Sequence, residues 1–341
     1  MRICVVGGGL AGTLLAWRLA CRGDAEVRLV TGIPGAADAT RSSGGLVRGF
    51  EPDPDKAAEA ADSLDELYRD PRVRDMAGYR QTGSIYLPSV QPPRCIIEGL
   101  EARLPGSVSV LDSRAAKRRF GFLDTPKDGV VIVERKAGYI DPDRLRYRVR
   151  ALLPKLGVEI VPTAARPCAG GFQTEPADVV VLATGPWTEG LLAAAGFPTG
   201  GLRTKAIQYS VCEVEGRLPP PFVDEHSGLY GRPAGPGRMV VGLPTQRWDV
   251  DPVAPVNGAE VCQVHAAVRK TLPSLRLCAP ARSVAAADAY ATDGRLRLRA
   301  VEPGLFTFTG GSGGAAKTAL AASAAAARRL LTAPNTRRES S

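Results

Sequence analysis

Residues 3–6 form an unbroken apolar run, after which apolar positions fall at Leu10, Leu14, Ala16, Leu19 and Ala20. The switch from continuous to helical spacing predicts a buried strand that turns through glycines into an amphipathic helix. Gly23 supplies a helix stop, and residues 27–30 read as the next strand. Strand–glycine–helix order returns twice. Residues 178–182 run into Thr184-Gly185 ahead of a helix over 187–195, and residues 305–309 run into Gly310-Gly311-Ser312-Gly313-Gly314 ahead of an alanine-rich helix over 315–331. Strands without polar alternation belong to parallel sheets covered on both faces.

The stretches between read differently. Residues 83–87 alternate, residues 129–133 and 158–161 form short strands, and residues 203–214 form one long strand. Residues 228–230 and 238–243 pair as a hairpin around Gly235-Pro236-Gly237, while residues 218–222, with three prolines, are a loop. Helices are expected over 53–68 and 141–156, each with Asp as N-cap and Pro just inside, and over 95–104 and 257–272. Residues 31–43 are a polar, small-residue loop, and no internal repeat is present. The fold class is therefore α/β. A Rossmann-like nucleotide domain is discontinuous over residues 1–78, 139–199 and 288–331. An inserted, mainly antiparallel sheet domain for the substrate covers 79–138 and 200–287, and residues 332–341 are expected to be a disordered tail.

Gly7, Gly9 and Gly12 fit G-x-G-x-x-G inside the opening strand–helix–strand unit. The first glycine makes a tight turn, the second admits backbone close to a pyrophosphate, and the third packs helix on strand. The helix start, at Leu10 and Ala11, adds unpaired N–H groups and a positive dipole end. The second strand of such a unit ends in an acid that binds ribose, whereas this one ends in Thr31-Gly32. The ribose contact then falls to Thr31, to backbone or to another group, or the affinity is lower.

Composition narrows the context. The 341 residues, 44% hydrophobic, suffice for a sizeable core and, as a prior, two domains. No apolar run approaches the ~20 residues of a membrane span, and the opening strand lacks the basic lead of a signal peptide. Seven scattered cysteines without C-x-x-C point to a reducing cytoplasm and to neither a disulfide framework nor a zinc site. There is no Ser-His-Asp set or metal-ligand cluster; His265 falls within an expected helix, and neither it nor His226 is read as catalytic. The net charge of +9 suits a basic soluble enzyme; it also leaves open an anionic partner, such as nucleic acid or an acidic carrier protein. The basic residues are spread without interleaved aromatics, which counts against nucleic acid.

Six landmarks in order resemble the FAD-dependent D-amino-acid oxidase, glycine oxidase and sarcosine oxidase superfamily over nearly the whole chain. They are the turn from Val5 to Gly12; Arg41-Ser42-Ser43-Gly44-Gly45-Leu46-Val47-Arg48; Gly138-Tyr139-Ile140-Asp141-Pro142; Leu182-Ala183-Thr184-Gly185-Pro186-Trp187-Thr188; Gly228 to Pro233 followed by Met239 to Gly242; and Asp293-Gly294 through Gly310 to Lys317.

The resemblance implies an FAD held noncovalently between the two ends of the chain. The position of the flavin-attaching cysteine in some sarcosine oxidases matches Ala286, and Cys278 is too early. Cofactor contacts are expected from Gly7, Gly9, Leu10, Ala11, Gly12, Thr31, Arg41, Ser42, Ser43, Gly44, Thr184, Gly185, Trp187, Gly311, Gly313, Gly314, Ala315 and Lys317. Arg48 and Lys317 match positions that hold a substrate carboxylate, Tyr230 matches a substrate-site tyrosine, and Lys205 lies near a position often basic. The implied reaction is oxidation of the C–N bond of an amino acid, N-methyl amino acid or cyclic imino acid, by hydride transfer to flavin, leaving an imine. Val240 or Met239 stands where some members carry an oxygen-activating lysine. A dehydrogenase using another acceptor therefore stays open, as do a flavin enzyme acting on tRNA or a carrier-tethered substrate and a non-catalytic FAD-fold binding protein.

Overall fold

The computed structural model describes residues 1–32, 38–121, 128–168, 171–173 and 176–332. Arg2–Val6 is central in a six-stranded sheet, between Val179–Leu182 and Glu26–Val30. Glu159–Val161 and Leu305–Thr309 extend the sheet in parallel, and Arg297–Glu302 closes one edge antiparallel. The helices Leu10–Ala20, Pro54–Arg69, Pro142–Leu152 and Ala315–Thr332 cover one face, where Leu14, Leu19, Leu64, Val149 and Leu330 join Ile3, Val5 and Leu29 in the main core. Cys4, Val6, Val30 and Leu182 point the other way, into a smaller core with Leu192 and Phe172. Alternate side chains of the central strand thus enter two cores, which is why it carries no polar residue inside.

The second sheet has eight strands, in the order Arg276–Tyr290, Arg203–Glu215, Arg238–Gly242, Tyr230–Pro233, Phe222–Asp224, Ser84–Leu87, Val130–Glu134 and Val108–Asp112. Its outer face is covered by Gly258–Thr271 and Ser113–Arg119, through Val264, Val268 and Ala116 against Cys212, Val214, Met239 and Val241. Its inner face turns toward the first sheet. A three-stranded ribbon of Leu46–Val47, Gly138–Tyr139 and Arg80–Gln81 lies at the junction.

Several elements differ from expectation. Arg276–Tyr290, fifteen residues paired along most of Arg203–Glu215, was not foreseen as a strand. Its alanines are poor strand formers, and the long partner, not propensity, holds them extended. The unforeseen strands Val108–Asp112 and Arg297–Glu302 lie at sheet edges, and Pro71–Ala77 is a further short helix capped by Asp70. The proline loop ends at Pro221, because Phe222 already pairs with Ile85 and Gly231. The helix from Pro142 tightens into a 3-10 turn, Leu153–Leu156, before Gly157 at φ 79°. Thr332, where the expected tail begins, is still helical; residues 333–341 lie outside the described residues, as do residues 33–37 of the expected loop. All seven cysteines are free. Among the described residues no helix is long and apolar enough to cross a membrane, and no group of His, Cys, Asp and Glu could hold a metal ion.

Candidate active site

Between the two sheets lies a cavity of about 1900 Å³. Both ends of the chain build it. Gly7, Gly9, Leu10 and Ala11 line one part, and Gly311, Gly313, Gly314, Ala315 and Lys317 another; Thr31, Arg41, Ser42, Ser43, Gly44, Thr184, Gly185 and Trp187 lie on the wall between. The exception among the expected cofactor contacts is Gly12, which is off the wall. A Cβ there would sit 2.0 Å from the Gly7 carbonyl oxygen, so its bareness serves helix–strand packing alone. Gly7 has φ 120°, and a Cβ on it would lie 2.3 Å from the Ala183 carbonyl. The turn must therefore be glycine on conformational and steric grounds alike. The Leu10 amide donates to Thr40 Oγ1 at 2.9 Å, tying the helix start to the following loop.

At the far end, Gly310 at φ 88° reverses the chain after Leu305–Thr309, and a 3-10 turn, Ser312–Gly314, leads into the last helix. Ser312 itself has φ 59°, an uncommon conformation for a residue with a side chain. The first-turn amides of both helices have no intrahelical acceptor, and each helix brings a positive end to the cavity. A large cavity bordered by two glycine turns that each open a helix fits a dinucleotide such as FAD, and these glycine stretches are the residues that would hold it.

The expected ribose contact, Thr31, faces Arg150, whose Nη2 donates to its hydroxyl at 3.1 Å. Arg146 stands on the same helix and pairs with Asp38 at 2.6 Å and with Asp143. Arg41 is at the rim, mostly exposed, 3.6 Å from Asp143. The loop passing Gly44 is held by Arg232, which donates to the Gly44 carbonyl and stacks on the Tyr139 ring at 4.7 Å.

Arg48 and Lys317 do converge, but a third residue joins them. Glu51 bridges the two, with Arg48 Nη1 at 2.8 Å from its Oε1 and Lys317 Nζ on the same oxygen. All three side chains are nearly enclosed, at 6%, 11% and 15% exposure for Arg48, Glu51 and Lys317. Burial alone would raise the Glu51 carboxyl, but two facing cations hold it below the usual range. Lys317 moves the other way: burial and the neighbouring Arg48 lower it, because it shares its single counter-ion. The Arg48 guanidinium also lies 4.4 Å over the Tyr86 ring, while its Nε and Nη1 lack a well-directed hydrogen-bond acceptor. Beneath it, Glu134 accepts from the Gly49 and Phe50 amides at 2.7 and 3.0 Å and fixes the backbone that carries Arg48. Glu51 and Glu134 lie outside the glycine landmarks. The signals were their spacing, three residues after Arg48 and at the end of a buried apolar strand.

On the inner face of the second sheet, the Tyr230 hydroxyl donates to the Gln208 carbonyl at 3.3 Å and is packed against Gly242. Lys205 lines the cavity, but its ammonium lies 4.6 Å over the Trp248 ring. Val240 packs with Tyr209 and Val211 on this face, whereas Met239 belongs to the outer core. His265 meets Cys212 at 3.6 Å on the outer side, and neither it nor His226 lines the cavity.

The architecture is shared with solved structures at low identity. L-proline dehydrogenase from P. horikoshii superimposes with a TM-score of 0.77 at 18% identity, covering 96% of this chain and 92% of that one. Glycine oxidase from Geobacillus kaustophilus gives 0.74 at 16%, covering 97% and 94%. L-alpha-glycerophosphate oxidase from Mycoplasma pneumoniae, solved with FAD bound, gives 0.74 at 18%, covering 99% and 96%. No curated protein sequence matches the chain. The DAO family, described as FAD dependent oxidoreductase, matches residues 2–329. With that match over nearly its whole length, the chain belongs to the DAO family of FAD-dependent oxidoreductases.

Proposed function

We propose that this enzyme oxidises the C–N bond of an amino acid, an N-methyl amino acid or a cyclic imino acid, leaving an imine. The observation that carries this reading is the enclosed pair of cations, Arg48 and Lys317, with only Glu51 between them and with Arg48 N–H groups not well directed to any acceptor. A guanidinium fork with free donors suits a carboxylate. Bound FAD supplies the hydride acceptor. Arg48 holds the carboxylate, Lys317 adds charge where the last helix meets the cavity, and Tyr230, fixed by Gln208, bounds the pocket on the sheet side. The protein contributes position and charge. Among proteins of this fold, glycerophosphate oxidase acts on an alcohol carbon, so the fold by itself leaves C–N and C–O oxidation open.

The test is anaerobic bleaching of the flavin absorbance by a panel of glycine, sarcosine, L-proline, D-proline and D-alanine, with glycerol 3-phosphate as the contrast. One amino or imino acid is expected to bleach it. Bleaching by glycerol 3-phosphate alone, or by nothing in the panel, overturns the reading. A second reading concerns the acceptor. Val240, buried with Tyr209 and Val211, stands at the position where the family resemblance places an oxygen-activating lysine in some members, which favours a carrier over oxygen. Stoichiometric peroxide during turnover would refute it.

A further inference from the structure

Most acids on the cavity wall are accounted for. Asp38 and Asp143 pair with Arg146, Asp249 pairs with Arg203, and Asp141 caps the helix that starts at Pro142. Glu189 and Asp251 stand in solvent. Asp288 is different. It lines the cavity from the strand Arg276–Tyr290, set into the inner face of the second sheet, and has no hydrogen-bond or ion-pair partner among the described residues. Its Oδ2 is 3.6 Å from where a Cβ on Gly313 would lie, so the carboxyl group borders the second glycine turn.

The groups around it are neutral or turned away. Tyr230 and Tyr290 are the nearest titratable side chains, and burial raises both, so they remain protonated phenols at working pH. Tyr290 accepts from the Gly313 amide at 3.4 Å. Lys205 is directly opposite Asp288 on the paired strand, yet its ammonium lies over Trp248, with Tyr290 at 5.7 Å. Arg232 and Arg282 act on Tyr209, four residues beyond Lys205 along the paired strand. A partly buried carboxylate without a cation is less favourable than one that something pairs. Burial accordingly pushes the Asp288 carboxyl up to about 7.

We propose that Asp288 recognises the substrate's amine and accepts a proton from its ammonium form before oxidation. This rests on the amine-oxidation reading given above. The ammonium N–H bond breaks and an Oδ–H bond forms, which leaves the nitrogen lone pair free. The α-carbon then gives up a hydride, one proton with two electrons, to FAD, and the lone pair becomes the second C–N bond of the iminium product. Asp288 and Lys317 border adjacent glycines of the second turn, so Arg48 and Lys317 on the one hand and Asp288 on the other then match the two charges of a zwitterionic amino acid.

The experiment uses the FAD-loaded enzyme and Asp288→Asn, which keeps the side chain's shape. Ethylammonium chloride and sodium acetate are titrated from about pH 6 to 9 while the flavin spectrum is followed. Ethylammonium is expected to bind about tenfold or more tightly to the wild type than to the variant, with the affinity rising through about pH 7 in the wild type alone. Acetate binding is expected to be no weaker in the variant. Equal, pH-independent ethylammonium affinities would overturn the proposal. If the variant loses FAD, the wild-type titration decides, since a flat pH profile there has the same force. The anaerobic panel separates the two ideas. An amino acid that bleaches both proteins with the same pH profile removes Asp288 and leaves amine oxidation standing. An intact ethylammonium site with no bleaching by any amine does the reverse.

Discussion

Replacing Glu51 with Gln tests whether one carboxylate holds the cation pair together. In the native chain Arg48 and Lys317 both pair with that carboxylate, and none of the three side chains is more than 15% exposed. Gln keeps the shape and a carbonyl acceptor but leaves two enclosed cations with no anion between them. Breaking a buried ion pair from one side typically costs about 3–5 kcal/mol. The cavity admits water near the cluster, so about 3 kcal/mol is the working figure. For a chain of 341 residues, at about 2.1 cal/mol/K of unfolding entropy per residue, that corresponds to a fall in Tm of roughly 4 °C. Thermal denaturation of the FAD-saturated proteins measures it. Glu51 is held below the ordinary carboxylate value of 4.5, so its contribution is complete above that value and is lost only as pH falls through the lower folded value. The gap between wild type and variant should therefore be full at about pH 6 and close under stronger acid. A fall in Tm below about 2 °C, or a gap that closes already near neutrality, refutes the argument.

Two further outcomes follow from the cofactor end. Gly7→Ala places a Cβ 2.3 Å from a backbone oxygen at a φ of 120°, and should give protein that is colourless after purification, as read from the ratio of flavin to protein absorbance. Thr31→Ala removes one neutral hydroxyl, already engaged by Arg150, and should weaken FAD binding by no more than about tenfold in a flavin fluorescence titration.

What the sequence revealed was local. The turn from Val6 through Gly7 to Leu10 shows in its glycine spacing, although the backbone that forbids a side chain on Gly7 belongs to distant Ala183, and the helix starts at Asp53 and Asp141 are fixed by their own caps. Arg276–Tyr290 was hidden because its alanines prefer helices and only a distant partner strand keeps them extended. Glu51 and Asp288 were hidden for a related reason. Each is an ordinary acid in the chain and gains meaning only from what the fold brings beside it: two cations for Glu51, and for Asp288 a place on the cavity wall where no cation pairs with it. Position in a motif located Arg48 and Lys317 but could not show that they are already neutralised in part.

The two glycine turns that build the cavity are separated by about 300 residues of chain. During synthesis, at about 5–20 residues per second, the first turn waits on the order of 15–60 s for its counterpart. The opening helix, Leu10–Ala20, meanwhile lacks Ala315–Thr332, which packs against it in the main core. A nascent chain therefore offers FAD only half a cradle, and loading is a late event that reports a finished fold. Flavin capture during translation, followed by fluorescence quenching on stalled chains, should appear only once residues through the last helix have left the ribosome.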